Sequence, residues 1–572
     1  MKRLLTALML AGMPVLALAQ HELPTKNVFD ADIVGGTTYN WVNDTIYILQ
    51  DVVYAESGAV VNIEAGTQIK GVDGPAGGAG TLIICRGARI HAVGTPFQPI
   101  IFTAEIDSVP DPADIPLRFP GSGENINRGL WGGLVILGRA CTNSFAPDTG
   151  FSQGQIEGIP ITEIRARYGG GAACDDEDTS GILKYVSIRH GGNILASDNE
   201  INGLTLGAVG RGTVVENVEV FQNFDDGFEW FGGTVNSRCL VSAFNTDDVF
   251  DTDEGWRGKN QFWFAIQDSV NGVGNSGTER DGGTVPEDSI PLCTHTQWNS
   301  TYIGSGKSSA NVNNNPAFNL RDNNASSDFN AIITDFRRTG IAFEDISGED
   351  TRQQLETGVI KFEHNIWFDF GDTNSVLAKG VFPQAFARAL LWDTLADAPN
   401  VTDNRIVDPL LMGVSRDPDG GLDPRPAGGS PAYTGAGAPA DTFFKNTGFI
   451  GAFGPDPCST WIAPWTALAQ YGYLDTSLTA PWTRLPGDAN ASGTYTLGDA
   501  IAIVNYIFSK PGFPACPSNS GICWLSELLC HGDWNASASV TLGDVIQAVN
   551  YIFNKPNGPW NAQPVCPCLK SA

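Results

Sequence analysis

Basic residues are scarce in this chain. Lysine and arginine number 34 of 572 residues against 63 aspartates and glutamates, leaving a net charge of −29 at pH 7. That balance argues against a nucleic-acid partner and favours metal cations. Histidine is scarcer still: the six (His21, His91, His190, His295, His364 and His531) show no H-x-x-x-H or similar spacing. They read as ordinary surface or packed residues, not as zinc ligands. Beyond residue 20 no apolar run approaches the ~18 residues needed to cross a bilayer, so no transmembrane segment is expected. G-x-S-x-G elbows and phosphate-binding loops are missing too.

What is present begins with MKRLLTALMLAGMPVLALAQ, a basic start, an apolar stretch and the small-residue exit Ala17-Leu18-Ala19. It predicts a signal peptide over 1–19, and hence a protein that is secreted, extracellular or held at the cell surface. No cysteine follows the cleavage site, which argues against a lipid anchor. The 11 cysteines suit an oxidising compartment, and five of them (Cys516, Cys523, Cys530, Cys566, Cys568) crowd the end of the chain. Their number is odd, so at least one is free or paired outside the chain, and the disulfide connectivity stays open.

The long middle repeats itself. NIEAGTQIKG (62–71) realigns with IICRGARIHA (83–92) at a shift of 21, setting Ile63 on Ile84, Gly66 on Gly87 and Ile69 on Ile90. GTVVENVEVFQNFDDGFEWFGG (212–233) runs into TVNSRCLVSAFNTDDVFDTDEG (234–255) at a shift of 22. A period in the low twenties, with strand-like stretches between Gly, Asn and Asp corners, marks a solenoid. Leucine-repeat spacing is absent and β-branched and aromatic residues dominate, so the fold class expected over 20–485 is mainly β: a right-handed parallel β-helix. Segments near 270–330 read as irregular loops, and 417–441 as a Pro/Gly-rich loop. Trp131, Trp230, Phe231, Trp256 and Trp263 read as core or ladder residues, with a sugar-stacking row as the alternative.

The 22-residue shift stacks Asn223 on Asn245, Asp225 on Asp247, Asp226 on Asp248, Phe228 on Phe250 and Glu229 on Asp251, with Asp253 and Glu254 close behind. Carboxylates one coil apart lie about 5 Å from each other and repel by roughly 1 kcal/mol in water and 3 at an effective dielectric near 20. Such rows persist by solvation, protonation or a bound cation. Three readings follow: corners facing water, because Asp and Asn suit turns; structural calcium; or a catalytic cluster made of Asp225, Asp226, Asp247, Asp248 and Asp251.

Near the end, GDANASGTYTLGDAIAIVNYIF (487–508) recurs 45 residues on as GDWNASASVTLGDVIQAVNYIF (532–553). Oxygen donors fall at positions 1, 3, 5, 9 and 12: Asp488, Asn490, Ser492, Thr496 and Asp499 in the first loop; Asp533, Asn535, Ser537, Thr541 and Asp544 in the second. This is the EF-hand loop plan, with Asp closing it instead of Glu, and it predicts bound Ca²⁺. Ile501, Val504 and Phe508, then Ile546, Val549 and Phe553, lie on one face of the helix behind each loop, and Pro511 and Pro556 end those helices. Ala538 replaces the turn glycine, which makes the second site the weaker one.

Two resemblances follow from these residues. RGLWGGLVILG (128–138), QIEGIP (155–160), EINGLTLGAVGRGT (200–213), DDGFEWFGGTVN (225–236) and GFIGAFGPDP…WIAPWTALAQYGYL (448–474) resemble a family of secreted bacterial β-helix proteins with no established reaction. The doubled loops resemble the dockerin type I module, which implies a small α-helical calcium-binding domain over 487–572 and a cohesin-like or cell-surface protein partner. Its recognition positions, commonly Ser-Thr, read Leu497-Gly498 and Leu542-Gly543 here. The expected function is a non-catalytic adhesive or glycan-facing scaffold attached by this module. The alternative is a tethered enzyme of polysaccharide catabolism, a lyase or O-glycosyl hydrolase. Asn245-Thr246-Asp247, Asp225-Asp226 and Arg257-Gly258-Lys259 resemble polygalacturonase motifs, but out of order and without the Gly-His-Gly element.

Overall fold

The computed structural model describes residues 23–508, 534 and 541–553, apart from 75–77, 110–113, 117–126, 147–149, 197–198, 271–272, 284–285, 311–314, 347–349, 372–376, 393–402, 456–459, 476–477 and 479–496. Most of the strands stack in three parallel ladders. Ladder one has nine: Val52–Ala55, Thr81–Ile84, Leu134–Leu137, Leu204–Val209, Phe228–Gly233, Phe250–Asp253, Thr278–Arg280, Phe318–Leu320 and Ile341–Phe343. Ladders two and three merge into one 18-stranded sheet. They merge because Gly181–Arg189, Val214–Phe221, Asn236–Ala243 and Lys259–Ile266 each serve both, bending at Tyr185, Asn217, Cys239 and Phe262. Those four residues carry φ of 50°, 53°, 57° and 63°, a left-handed column that turns each coil in mid-strand. This is a parallel β-helix.

Alternation explains the winding. In Phe228–Gly233, Phe228 and Trp230 point inward while Glu229 points out. Inside, Trp230 stacks on Trp256 at 4.5 Å and on Trp263 at 5.2 Å, and Phe228 on Phe250 at 5.4 Å. Trp131, Trp230, Trp256 and Trp263 are fully buried, and Phe231 nearly so. The four tryptophans are the ladder and core residues expected, and Phe231 packs on the outer face of ladder one.

Two segments cover the outside. Residues 139–180 leave the helix as an insertion stapled by Cys141–Cys174. It lays Ile156, Ala166 and Tyr168 on the outer face of ladder one, against Ile83, Val135, Leu137, Ala208 and Phe231. Tyr168 fits because Gly154 and Gly207 lack side chains; a Cβ on either would fall within 2.8 Å of its ring. The other segment, 448–474, seals ladder three: Phe453, Trp461, Trp465 and Leu468 pack on Phe221, Val241, Phe264 and Ile303. Buried Glu219 takes the Ala467 N–H at 2.7 Å, while Arg189 reaches Tyr471 Oη at 3.0 Å and Gln470 Oε1 at 2.7 Å. Among the described cysteines, Cys85, Cys239 and Cys293 are free and buried.

Three expectations are corrected. The 21-residue shift of 62–71 onto 83–92 does not stack those two segments: Val61 pairs with Ile90 and Ile63 with Ala92, 29 residues on. Ile84 lies in ladder one. Gly66 and Gly87 are both left-handed corner glycines, with φ of 85° and 84°, but at different corners of the coil. The likeness was one of corner chemistry. Second, the helix continues through 270–330 with Thr278–Arg280, Thr296–Trp298, Thr301–Ile303, Phe318–Leu320 and Ser327–Phe329. Three-residue strands of polar sequence, such as TER and FNL, carry too little alternation to read. Third, 417–441 includes Leu422–Pro426, paired antiparallel with Leu411–Val414.

At the C-terminus, Leu497–Ile507 and Leu542–Ile552 are helices that pack together through Ala500, Ile503, Trp534 and Ala548. The segment read as a signal peptide, Cys458, the C-terminal cysteines and most loop positions fall outside the described residues.

His190 supplies a pH-dependent element. It is buried at φ 61°, with Nδ1 2.8 Å from the Asn127 carbonyl. Burial pushes its imidazole down to about 4. A depressed histidine stabilises fully above its unfolded value near 6.5, and that stability is lost as pH falls through about 4, at most about 3 kcal/mol. The His190→Asn variant is expected to lose stability less steeply than the parent between pH 6.5 and 4 in chelator. Parallel denaturation profiles across that range would contradict this.

Candidate acidic site

The corner leading into ladder one repeats in successive coils. The Asn223 N–H donates to Asn245 Oδ1 at 2.8 Å, and Asn223 Nδ2 reaches the Ile201 and Asp226 carbonyls at 3.1 and 2.9 Å. Asp226 Oδ1 takes the Asp248 N–H at 2.8 Å, and Asp248 Oδ1 in turn takes the Ser276 N–H. Corner side chains thus tie each coil to the next, as the 22-residue shift predicted. Past the corner, the outward positions of ladder one fall in register: Thr205, Glu229, Asp251 and Glu279.

Thr205, Glu229 and Asp251, with Asn202, Asp225, Asp226 and Asp247 beside them, line a cavity of about 240 Å³, closed on one side by Ile156 and Glu157 of the insertion. One oxygen each from Asp225, Asp226 and Asp247 lie within 4.8 Å of one another, and so do oxygens of Asp226, Glu229 and Asp251. Asp226 belongs to both sets. Asn202, 6% exposed, gives its Nδ2 to Glu229 Oε2, which fixes its amide. Its Oδ1 then has no partner among the described residues, and neither has Asp251 Oδ1.

A family model described as a pectate-lyase like beta helix domain matches residues 36–380. The chain belongs to that family. No curated protein and no solved structure matches it. The matched span of this pectate-lyase like β-helix holds all of ladder one, the insertion and the acidic cavity. The covering segment 448–474 and the terminal helices lie beyond it.

Electrostatics set what such a cavity in a pectate-lyase like helix can do. Burial, and then Asp225, Asp251 and Asp248, push Asp226 well above the usual carboxylate range. Burial followed by Glu157 and Asp225 does the same to Glu229; burial followed by Glu229 and Glu279 does so to Asp251. At about 5 Å each ionised pair costs roughly 3 kcal/mol at an effective dielectric near 20. The arrangement therefore either holds protons or takes a cation, and clustered oxygen donors without sulfur or nitrogen suit a hard one.

Of the sequence candidates, Asp225, Asp226, Asp247 and Asp251 meet in the cavity. Asp248 does not line it; at 3% exposure it sits beneath, engaged with backbone. Glu157, Asn202 and Thr205 were missed in the lining, and Glu279 at the end of the row. Asp253, the last residue of its strand in ladder one, and Glu254, in the turn after it, lie outside the lining. In the terminal repeat, Asp499 and Asp544 are buried at the starts of the two helices, and Asp544 forms a capping box with Thr541. Asp488, Asn490, Ser492, Thr496, Asp533, Asn535 and Ser537 lie outside the described residues.

Proposed function

We propose that the chain is an exported, non-catalytic, glycan-facing β-helix, wound right-handed as crossovers between parallel strands usually are, whose acidic cavity captures calcium. One observation carries this: every polar side chain lining the cavity offers oxygen, and two of those oxygens, on Asn202 and Asp251, have no partner among the described residues. Asp225, Asp226, Asp247, Glu229, Asp251 and Asn202 would hold the ion. Bound there, it neutralises a wall that otherwise repels acidic sugars, and offers them a cation.

The terminal dockerin-like module would take two further calcium ions and attach the rod. Supporting this, the repeated helices expose equivalent apolar side chains: Leu497 and Leu542, Ile501 and Ile546, Phe508 and Phe553. Ile501 and Phe508 are not packed between the helices, where Ala500 and Ile503 lie instead. That leaves them to a cohesin-like or cell-surface partner.

A second reading rests on the same carboxylates. Glu229 and Asp251, raised by burial, would act as acid beside Asp225 and Asp247 as base in a lyase or glycoside hydrolase. Metal-stripped full-length protein is expected to take up calcium in calorimetry at or below millimolar concentration. It should then be retained by acidic polysaccharides without new reducing ends or ultraviolet-absorbing products. Products that disappear in Asp251→Ala would establish the enzyme reading; absence of calcium uptake would sink the proposal.

A further inference from the structure

The insertion also walls a second cavity, of about 480 Å³, over the corner between ladders one and two in the first coils. Its lining is unusual for so acidic a chain: three guanidiniums (Arg86, Arg139, Arg165) and one carboxylate, Glu56. Arg165 is already engaged, by Asp30 at 3.0 Å and Glu163 at 2.7 Å, and it lies over the Tyr54 ring at 4.1 Å. Glu56 takes the Gly35 N–H at 3.2 Å. Arg86 gives Nη1 to the Gly169 carbonyl at 2.7 Å. Burial, then Arg139 and Arg167, push its guanidinium below the ordinary value.

Arg139 is exposed, and among the described residues its guanidinium meets no acceptor. It extends over Gly87, where a Cβ would come within 2.6 Å of Arg139 Nη2 and 2.7 Å of Ser57 Oγ. Gly87, at φ 84°, therefore keeps open a floor bordered by a guanidinium and a hydroxyl. Arg86 and Arg139 thus stand on successive coils, near enough for one charge to perturb the other.

We infer that this cavity binds a tetrahedral oxyanion carried as an ester on a sugar-sized molecule. One guanidinium fork satisfies a planar carboxylate. Here the donors are two separate guanidiniums and Ser57 Oγ, which suits an anion presenting three oxygens. The volume lies in the range of small-molecule sites and exceeds what a bare ion fills, and Ile164 supplies an apolar wall. The inference is independent of the acidic cavity.

Calorimetry on the full-length protein tests it with galactose 6-sulfate and glucose 6-phosphate. Inorganic sulfate, galacturonate and unmodified galactose are the other arms. The esters are expected to bind at least 10-fold more tightly than inorganic sulfate, and galactose not at all. Arg139→Ala, which removes no side-chain hydrogen bond among the described residues, should weaken ester binding roughly 10- to 100-fold, the worth of a charge-assisted hydrogen bond. Arg139→Lys should fall between, and calcium uptake should not change. Equal binding of inorganic sulfate, tighter binding of galacturonate, no binding of either ester, or an unaltered Arg139→Ala would each overturn the assignment.

Discussion

Replacing Glu229 with glutamine and Asp251 with asparagine together is expected to stabilise the metal-free protein at pH 8, by about 3–6 kcal/mol, while removing calcium from the cavity. The two carboxylates are register partners on adjacent strands, with oxygens inside the same 4.8 Å set as Asp226. At pH 8 each either stays ionised against its neighbours or holds a proton that water would have taken. Amides of the same shape remove that cost, and the carbonyl of the introduced glutamine still accepts the Asn202 amide. Folded-state values raised above the unfolded ones mean that stability is full below about 4 and is lost as pH rises from there through the raised values. Chelator-treated parent should therefore weaken from pH 5 to pH 8 more than the double variant, and the two should converge near pH 4. Calcium should restore the parent and do little for the variant's cavity. Urea denaturation with and without chelator measures all of this. A variant less stable than the parent at pH 8 in chelator would mean that the row is satisfied without a cation.

That row shows how far sequence reading reaches. Glu229 on Asp251 was legible because two coils of equal length abut, so a single shift aligned Asn223, Asp225, Asp226 and Phe228 with their partners. The next step is 28 residues, from Asp248 to Ser276, and the unequal length hid Glu279. Thr205 was hidden in the same way on the other side. Glu157 belongs to an insertion outside any repeat, so no spacing could place it over the cavity. The early coils misled for a physical reason: several of their corners carry a left-handed glycine (Gly36, Gly58, Gly66 and Gly87), so a shift can match neighbouring corners in place of stacked coils. Arg86 and Arg139 stand 53 positions apart in the chain, and only the return of ladder one brings them to one corner. The charge balance of the whole chain gave no hint of a basic cavity.

The largest loss is expected from Asp328→Ala, about 3–5 kcal/mol, at a pair that sequence reading left in a loop. Arg280 points inward from ladder one and is fully buried, as is its partner Asp328 in ladder two. Arg280 also gives Nε to Thr278 Oγ1 at 2.6 Å and Nη1 to Ser326 Oγ at 3.2 Å, with its guanidinium 4.8 Å from the Phe318 ring centroid. The network is incomplete: Arg280 Nη2 and Asp328 Oδ1 have no partner. Burial raises the Asp328 carboxyl and Arg280 lowers it again. Removing the carboxylate leaves a guanidinium inside the solenoid with only hydroxyls and a ring face, and this stranded charge dominates the cost. Arg280→Met with Asp328→Leu removes both charges and fills the same space, so most of the lost stability should return, although either change alone is severe. Guanidinium denaturation with unchanged m-values compares these variants on equal terms. If the double replacement proves as damaging as Asp328→Ala, the pair holds the short strands of this coil in register by its geometry, and desolvation is the smaller effect.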